Sequence, residues 1–449
     1  MAISETSEQR MGLIVVVGRI GLLGLWFAAT LLIARTLGQS PFGLAEFGKY
    51  VWCTALIKLF SSFINNTVDL AVLRRAPLLL VEDRPLGIGL CRASLWIRTA
   101  AAGAIALALV LLALSPLAPH LFGSAITSSL IIITSLGIIG DVLIRAVMVY
   151  FQSACNFGRF LLIEGSLQVC RFAAVIALVL TGTLTAWSAL ATYVALSFGC
   201  VALGLALLPR DAYRRAPSGR HEVAAALRFS AWMIVALGVA ALSERLDLFL
   251  VGYFLTPVSV AIYGAALILA TIPEFLEGAL NTVLMPKVSA TQRKGGFREL
   301  HATYMRFAAI PCILIAIGVY LLGGWFTVTF LSAKFVAAIP VFQLQILGAV
   351  VWLAIAPIPS ALVAFVSPKN MLRINAAGLT SRVIVSCALI PRFGVMGAAV
   401  TFLAMKIGMT IAVTATAYYW QQTHHAAPPA SSRHAGAAES LLVATRGEP

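Results

Sequence analysis

The chain has 449 residues, 60% of them hydrophobic and 11% charged, and Lys+Arg 32 against Asp+Glu 17 give it a formal net charge of +15. A soluble globular chain averages about 25% charged residues, so this one has too little charged surface for water and reads as an all-α polytopic membrane protein. Its cations punctuate apolar runs instead of massing on one soluble arm, which excludes a nucleic-acid partner and makes the lipid bilayer the expected one.

About 20 apolar residues are needed to cross a hydrocarbon layer roughly 30 Å thick. Cutting the chain at charge clusters and Pro/Gly turns gives twelve spans: 12–34, 44–73, 93–115, 122–151, 160–181, 186–208, 229–253, 257–283, 304–325, 336–366, 370–390 and 394–418. The short alternating segments of a membrane β-barrel are missing. The first run is too long for a signal-peptide core and lacks a small-residue cleavage site after it, so it is expected to stay as a span. Arg19 lies there beside Gly12, Gly18, Gly21 and Gly24, small residues that permit close helix approach.

The second span carries Thr54, Lys58, Ser61, Asn65 and Asp69 at spacings that confine them to one helix face. A charge inside a span costs about 2.5–3.5 kcal/mol on insertion scales, so it needs water, a partner or an interfacial escape. Lys58 is near mid-span, and the stripe therefore reads as the wall of a polar cavity. In the fourth and fifth spans, Asp141 with Arg145, and Glu164 with Gln168 and Arg171, have helical spacings that suggest intrahelical or interhelical pairing.

The seventh span places Glu244, Arg245 and Asp247 within one turn, and the eighth carries Glu274, Glu277 and Asn281 on one face after Pro273. Arg382 and Lys406 lie well inside the last two spans. These give Arg19, Lys58, Asn65, Arg245 and Lys406 as candidate cavity residues for substrate. Asp69, Asp247 and Glu274 are candidate proton or cation sites. After Trp420 the composition turns to Ala, Pro, Ser and His, so 421–449 reads as a disordered tail, and His424, His425 and His434 as solvated, not metal-binding.

Loops after the even-numbered spans hold Arg74, Arg75, Arg84, Arg92, Arg159, Arg210, Arg214, Arg215, Arg220, Arg228, Lys287, Arg293, Lys294, Arg298, Arg306, Lys369 and Arg373. The alternate loops hold Arg35, Lys49, Lys334 and Arg392. Seventeen cations against four place the first set, and with it both termini, in the cytoplasm of a multi-pass membrane protein. The outer loops at 115–122, 181–185 and 254–257 are turns, which excludes an enzyme with a large outer catalytic domain.

Two stretches recur at separations of roughly 210–218 residues: 182–193 resembles 392–402, and 37–48 resembles 255–264. Two pseudo-symmetric six-helix lobes follow, 1–208 and 229–420, joined by a basic cytoplasmic linker at 209–228. Seven scattered cysteines read as small buried hydrophobes. The chain has no glycine loop ending in Gly-Lys-Ser/Thr, no HExxH, no GxSxG and no acidic cluster, so no enzymatic activity, cofactor or metal is expected. A membrane body with an internal polar path and no catalytic constellation is a transporter by elimination.

Five segments in order then carry a resemblance: 34–51 (ARTLGQSPFGLAEFGKYV), 246–266 (LDLFLVGYFLTPVSVAIYGAA), 284–289 (LMPKVS), 334–347 and 390–402 (IPRFGVMGAAVTF). Together they resemble signatures of the polysaccharide-transporter branch of the multidrug, oligosaccharidyl-lipid and polysaccharide exporter superfamily. The resemblance implies two six-helix lobes forming a V that alternates between inward- and outward-open states. It also implies a polyprenyl-diphosphate-linked oligosaccharide as cargo, flipped across the inner membrane for exopolysaccharide, O-antigen or capsule assembly, with a polymerase and other assembly proteins as partners. Arg19, Lys58 and Arg245 match, by span and depth, cations that face the cavity in such relatives. A drug or organic-cation exporter of the same superfamily and a peptidoglycan lipid-precursor flippase are the competing expectations.

Overall fold

The computed structural model describes residues 5–40, 43–118, 126–210, 220–271, 320–355 and 368–424, with a few single positions between them. The described chain is α-helical. In order come α1 (Glu5–Gln39), α2 (Leu44–Glu82), α3 (Arg84–Leu114), α4 (Ser128–Ser153), α5 (Phe157–Leu180) and α6 (Ala186–Ala206). The second half holds α7 (Arg220–Phe254), α8 (Pro257–Leu269), α9 (Ala338–Leu353), α10 (Pro368–Phe393) and α11 (Val395–His424), with a helical stretch at 320–330 before α9.

Several helices outrun their spans. α2 continues through Pro77 to Glu82, nine residues beyond the expected end, and α7 begins at Arg220, inside the stretch read as linker. The expected span 336–366 is broken: α9 stops at Leu353, where Ala354 and Ile355 form a turn. The tail beyond His424 lies outside the described residues, as does Glu274.

Short polar caps make abrupt reversals. Asp83 alone separates α2 from α3, and its carboxylate accepts from the Leu86 amide at 3.1 Å while Pro85 occupies the first turn, where no intrahelical N–H bond is lost. Thr185 and Ser188 form a reciprocal capping box at the start of α6. The turns before α6 and α11, where one sequence repeat falls, each contain a glycine with positive φ, Gly182 at 67° and Gly394 at 59°.

Seven of these helices are long and apolar enough to cross a membrane: α1 from Gly21, α3, α4, α5, α6, α10 and α11. Their outer faces carry the residues a lipid environment accepts, such as Leu107, Leu111 and Leu114 on α3 and Ile384 on α10, all exposed.

α2 is the hub. It packs on α3, α4 and α6 within the first half and on α7 and α8 of the second. One continuous apolar core joins both halves near the α1–α2 and α7–α8 turns, taking in Leu37, Phe47 and Trp52 from the first half and Val251, Val260 and Phe335 from the second. A separate core, built on Ile144, Phe151, Phe160 and Ile163, belongs to the first half alone. The shared core joins the two lobes at the end that carries these turns, and Phe63 of α2 against Gly238 of α7 continues the contact along the helices.

The second sequence repeat explains the fusion. Gly48 and Gly264 occupy equivalent places in the two hairpins, and each abuts the opposite one: a Cβ on Gly48 would overlap the Pro257 carbonyl oxygen, and one on Gly264 would overlap Val51. Trp52 adds an edge-on contact to Phe249, with ring centroids 5.7 Å apart. Because the atom facing Gly48 is backbone, no rotamer change relieves the clash. Gly48→Leu is expected to cost about 1–3 kcal/mol or more through overpacking. Gly103→Leu, at a position where a Cβ meets nothing within 4 Å, should leave thermal unfolding unchanged, and equal losses in the two variants would disprove the close approach.

Candidate functional site

The polar stripe of α2 divides between two environments. Thr54 and Lys58 line a cavity of about 110 Å³ between the lobes, walled by Trp26, Tyr50, Arg171 and Tyr193 on one side and by Arg245, Leu267 and Thr271 on the other. Lys58 Nζ donates to Asp141 Oδ1 of α4 at 2.7 Å, and the Tyr193 hydroxyl of α6 donates to the same oxygen at 2.5 Å. The lysine stays within reach of a ligand, because 45% of its side chain is exposed.

Further along α2, Asn65 and Asp69 turn into the first lobe. Arg98 of α3, fully buried, donates to Asn65 Oδ1 at 3.1 Å and to Asp69 Oδ1 at 2.5 Å. Arg145 of α4 donates its Nε–H to Asp69 Oδ2 at 2.8 Å. This half of the stripe is an ion network that ties three helices together. Asp141 and Arg145 are paired, as their charges suggested, but each with α2 instead of with each other. Sequence reasoning passed over Arg98, although an arginine inside an apolar span was itself the signal.

The Glu164–Arg171 group on α5 makes its contacts to other helices, one of the two arrangements that its spacing left open. Glu164 lies 3.5 Å from Arg19 Nε of α1, an interhelical pair. Arg171 donates to the Tyr50 hydroxyl at 2.9 Å and to Thr30 Oγ1 at 3.3 Å. Its guanidinium lies 5.6 Å from the Tyr193 ring centroid and 6.0 Å from that of Trp26. It is 6% exposed, and no described carboxylate lies within ion-pair distance. Hydroxyls and ring faces hold the charge in place without neutralising it.

The second lobe contains a larger cavity of about 390 Å³, with Ser243, Glu244 and Arg245 from α7, Trp352 from α9, Asn375 and Arg382 from α10, and Phe402 and Lys406 from α11 in its wall. Asp247 lies behind that wall, 2% exposed, accepting from the Tyr263 hydroxyl at 3.3 Å and from Ser386 Oγ at 3.4 Å. Arg382 Nε sits 3.7 Å from Asp247 Oδ1, and its Nη1 donates to the Ser243 carbonyl. Lys406 lies over two rings, 5.0 Å from the Trp352 centroid and 5.5 Å from that of Phe402. Each lobe thus holds one wall cation with a carboxylate that also takes a tyrosine hydroxyl: Lys58–Asp141–Tyr193 and Arg382–Asp247–Tyr263.

The two cavities adjoin, because Arg245, Leu267 and Thr271 line both. Of the residues singled out from sequence, Lys58, Arg245 and Lys406 come together here, and Asp247 stands just behind. Arg19 lines neither cavity: it is exposed on α1, beside Glu164 and 5.4 Å from the Phe160 ring centroid. Among the described residues no group of three His, Cys, Asp or Glu is placed to hold a metal. Cys53 and Cys200 are buried as expected of small hydrophobes, whereas Cys155, Cys170 and Cys387 are exposed.

Comparison with known proteins fits this architecture. The profile of a family described as polysaccharide biosynthesis protein matches residues 32–340. A protein named "Probable flippase AglR" from Haloferax volcanii is 28% identical over 177 residues, 38% of this chain and 37% of that one, so the match spans little more than a third of the curated relative. Among solved structures, one titled "Lipid II flippase MurJ, inward closed conformation" has a TM-score of 0.71 at 14% identity, covering 90% of this chain and 87% of that one. A multidrug resistance transporter of the MATE family, in an inward-facing conformation, has a TM-score of 0.68 at 10% identity over 91% and 99% of the two chains. These two likenesses establish the fold.

Proposed function

The chain belongs to the polysaccharide biosynthesis protein family, and from that premise we propose that it is a flippase moving a polyprenyl-diphosphate-linked oligosaccharide across the bacterial inner membrane by alternating access. One observation carries this reading. Three cations from both lobes (Lys58, Arg171 and Arg245) line the cleft between the lobes, against one carboxylate behind its wall, Asp141. The excess is two positive charges among the described residues, and a diphosphate diester carries one negative charge on each phosphate. An exporter of organic cations calls for the opposite balance.

The headgroup is too polar for hydrocarbon and needs a hydrated cationic cleft, while the polyprenyl tail stays in lipid. Arg245 reaches both cavities from the second lobe, and Arg171 faces it from the first. By the positive-inside count, the α1–α2 and α7–α8 turns lie on the outer side, so the shared core and the Gly48–Gly264 seam close the outer end of the cleft. Cargo then enters from the cytoplasmic leaflet, and the lobes must part at that seam to release it for assembly of exopolysaccharide, O-antigen or capsule by a polymerase and its partners.

Arg245→Ala is expected to slow delivery of surface polysaccharide by roughly tenfold or more, the loss of one charge-assisted contact to phosphate. Efflux of a cationic dye from the same cells should not change. Dye efflux falling while polysaccharide persists would show that the cargo class is wrong.

A further inference from the structure

Two phosphates do not require the 390 Å³ cavity of the second lobe, because the smaller cleft already presents Lys58, Arg171 and Arg245. The larger cavity has a different chemistry. Trp352 and Phe402 contribute aromatic surface, Asn375 an amide and Glu244 a carboxylate, and Lys406 lies over both rings. Asn375 spends one amide N–H on the Ala236 carbonyl at 3.0 Å, and its Oδ1 accepts no bond from a described residue.

A pyranose ring has hydroxyls around its rim and C–H groups on its faces, so it is recognised by polar groups at the edge and aromatic faces above or below. The cavity offers both, and its volume lies within the range of about 300–1,000 Å³ common for small-molecule sites. Connectivity decides what enters it. Arg245, Leu267 and Thr271 border both spaces, so a ligand with a phosphate at Arg245 has its next covalently attached group at the mouth of the larger cavity. In the proposed cargo that group is a sugar.

We propose that the second-lobe cavity is the saccharide subsite, taking the sugar joined to the diphosphate, with Trp352 and Phe402 against its ring and Asn375, Glu244 and Lys406 on its hydroxyls. The assignment rests on the diphosphate reading of the cleft. It makes cargo selection a property of the second lobe, while the first supplies Arg171 and Lys58 for phosphate.

The test uses the purified full chain in lipid nanodiscs and two probes: polyprenyl diphosphate without sugar, and the same lipid bearing a disaccharide. The wild type is expected to bind the glycosylated lipid about tenfold more tightly. Trp352→Leu and Asn375→Ala should each lose most of that increment and leave affinity for the sugar-free lipid unchanged. Unchanged sugar-free binding is also the control for folding, and Asn375→Ala provides it independently should loss of the indole disturb the wall. Equal losses on both probes, or a sugar increment that survives both substitutions, would overturn the subsite. If the wild type bound neither probe, the diphosphate reading would fall, and the subsite with it.

Discussion

Arg171→Ala is expected to cut transfer of the lipid-linked saccharide by about 10- to 100-fold, since hydrogen bonds to charged groups contribute about 1.5–3 kcal/mol and each 1.36 kcal/mol is a factor of ten in rate. The size follows from how the residue is held. Arg171 is 6% exposed, bonded to the Tyr50 and Thr30 hydroxyls and flanked by the Trp26 and Tyr193 rings, with no described carboxylate in ion-pair range. Such a site places a charge ready for an anion, and it avoids the cost of separating an ion pair before the ligand binds. Arg171→Lys keeps the charge and loses the planar fork that grips phosphate through two bonds, so it should fall between alanine and the wild type. If the guanidinium served packing alone, both variants would lose thermal stability, and transfer per folded molecule would be unchanged.

Asp69→Ala is expected to remove about 3–5 kcal/mol of stability, the usual cost of breaking a buried ion pair by deleting one partner. Asp69 faces two arginines, Arg98 and Arg145, and Arg98 is fully buried with its Nε already lacking a partner. Without the carboxylate, positive charge confronts positive charge inside the first lobe. Native stability is commonly only about 5–15 kcal/mol, so the variant should yield little folded protein, as measured by thermal unfolding and by recovery of monodisperse material. Adding Arg98→Met should restore much of the loss, because an apolar side chain of similar volume leaves no charge to compensate. A proton- or cation-coupling role for Asp69 predicts a different outcome: a folded Asp69→Asn protein that has lost only its dependence on an ion gradient.

These two residues also mark where the sequence was legible. Hydropathy and charge placement revealed the helical membrane architecture, because lipid permits few alternatives. The repeated hairpins at 37–48 and 255–264 already held the glycines that let the lobes meet. Periodicity put Lys58 and Asp69 on one face of α2 correctly, but a stripe gives a direction and not a neighbour. A helix this long meets different partners along its length, so the upper half of one stripe faces a cavity and the lower half a buried network. The same limit left the partners of Arg171 open between its own helix and others, and the structure supplies Thr30 from α1 and Tyr50 from α2. Lys58, Arg245 and Lys406 stood out because each is a deep cation in its span. That rule, applied to Arg98 and Arg171 as well, flags both and still cannot tell a structural arginine from one in a cavity wall.

The most direct measurement places the purified chain in liposomes that carry a fluorescent polyprenyl-diphosphate disaccharide, and follows the fraction of its sugar exposed to an added lectin. A cleft built to hold a diphosphate predicts that the wild type moves this lipid between leaflets, that the combined Arg171→Ala and Arg245→Ala protein does not, and that an uncharged glycolipid with the same sugar is moved by neither. Transfer of the uncharged glycolipid at the same rate, or transfer that persists without the two arginines, would contradict the role given to the cationic cleft.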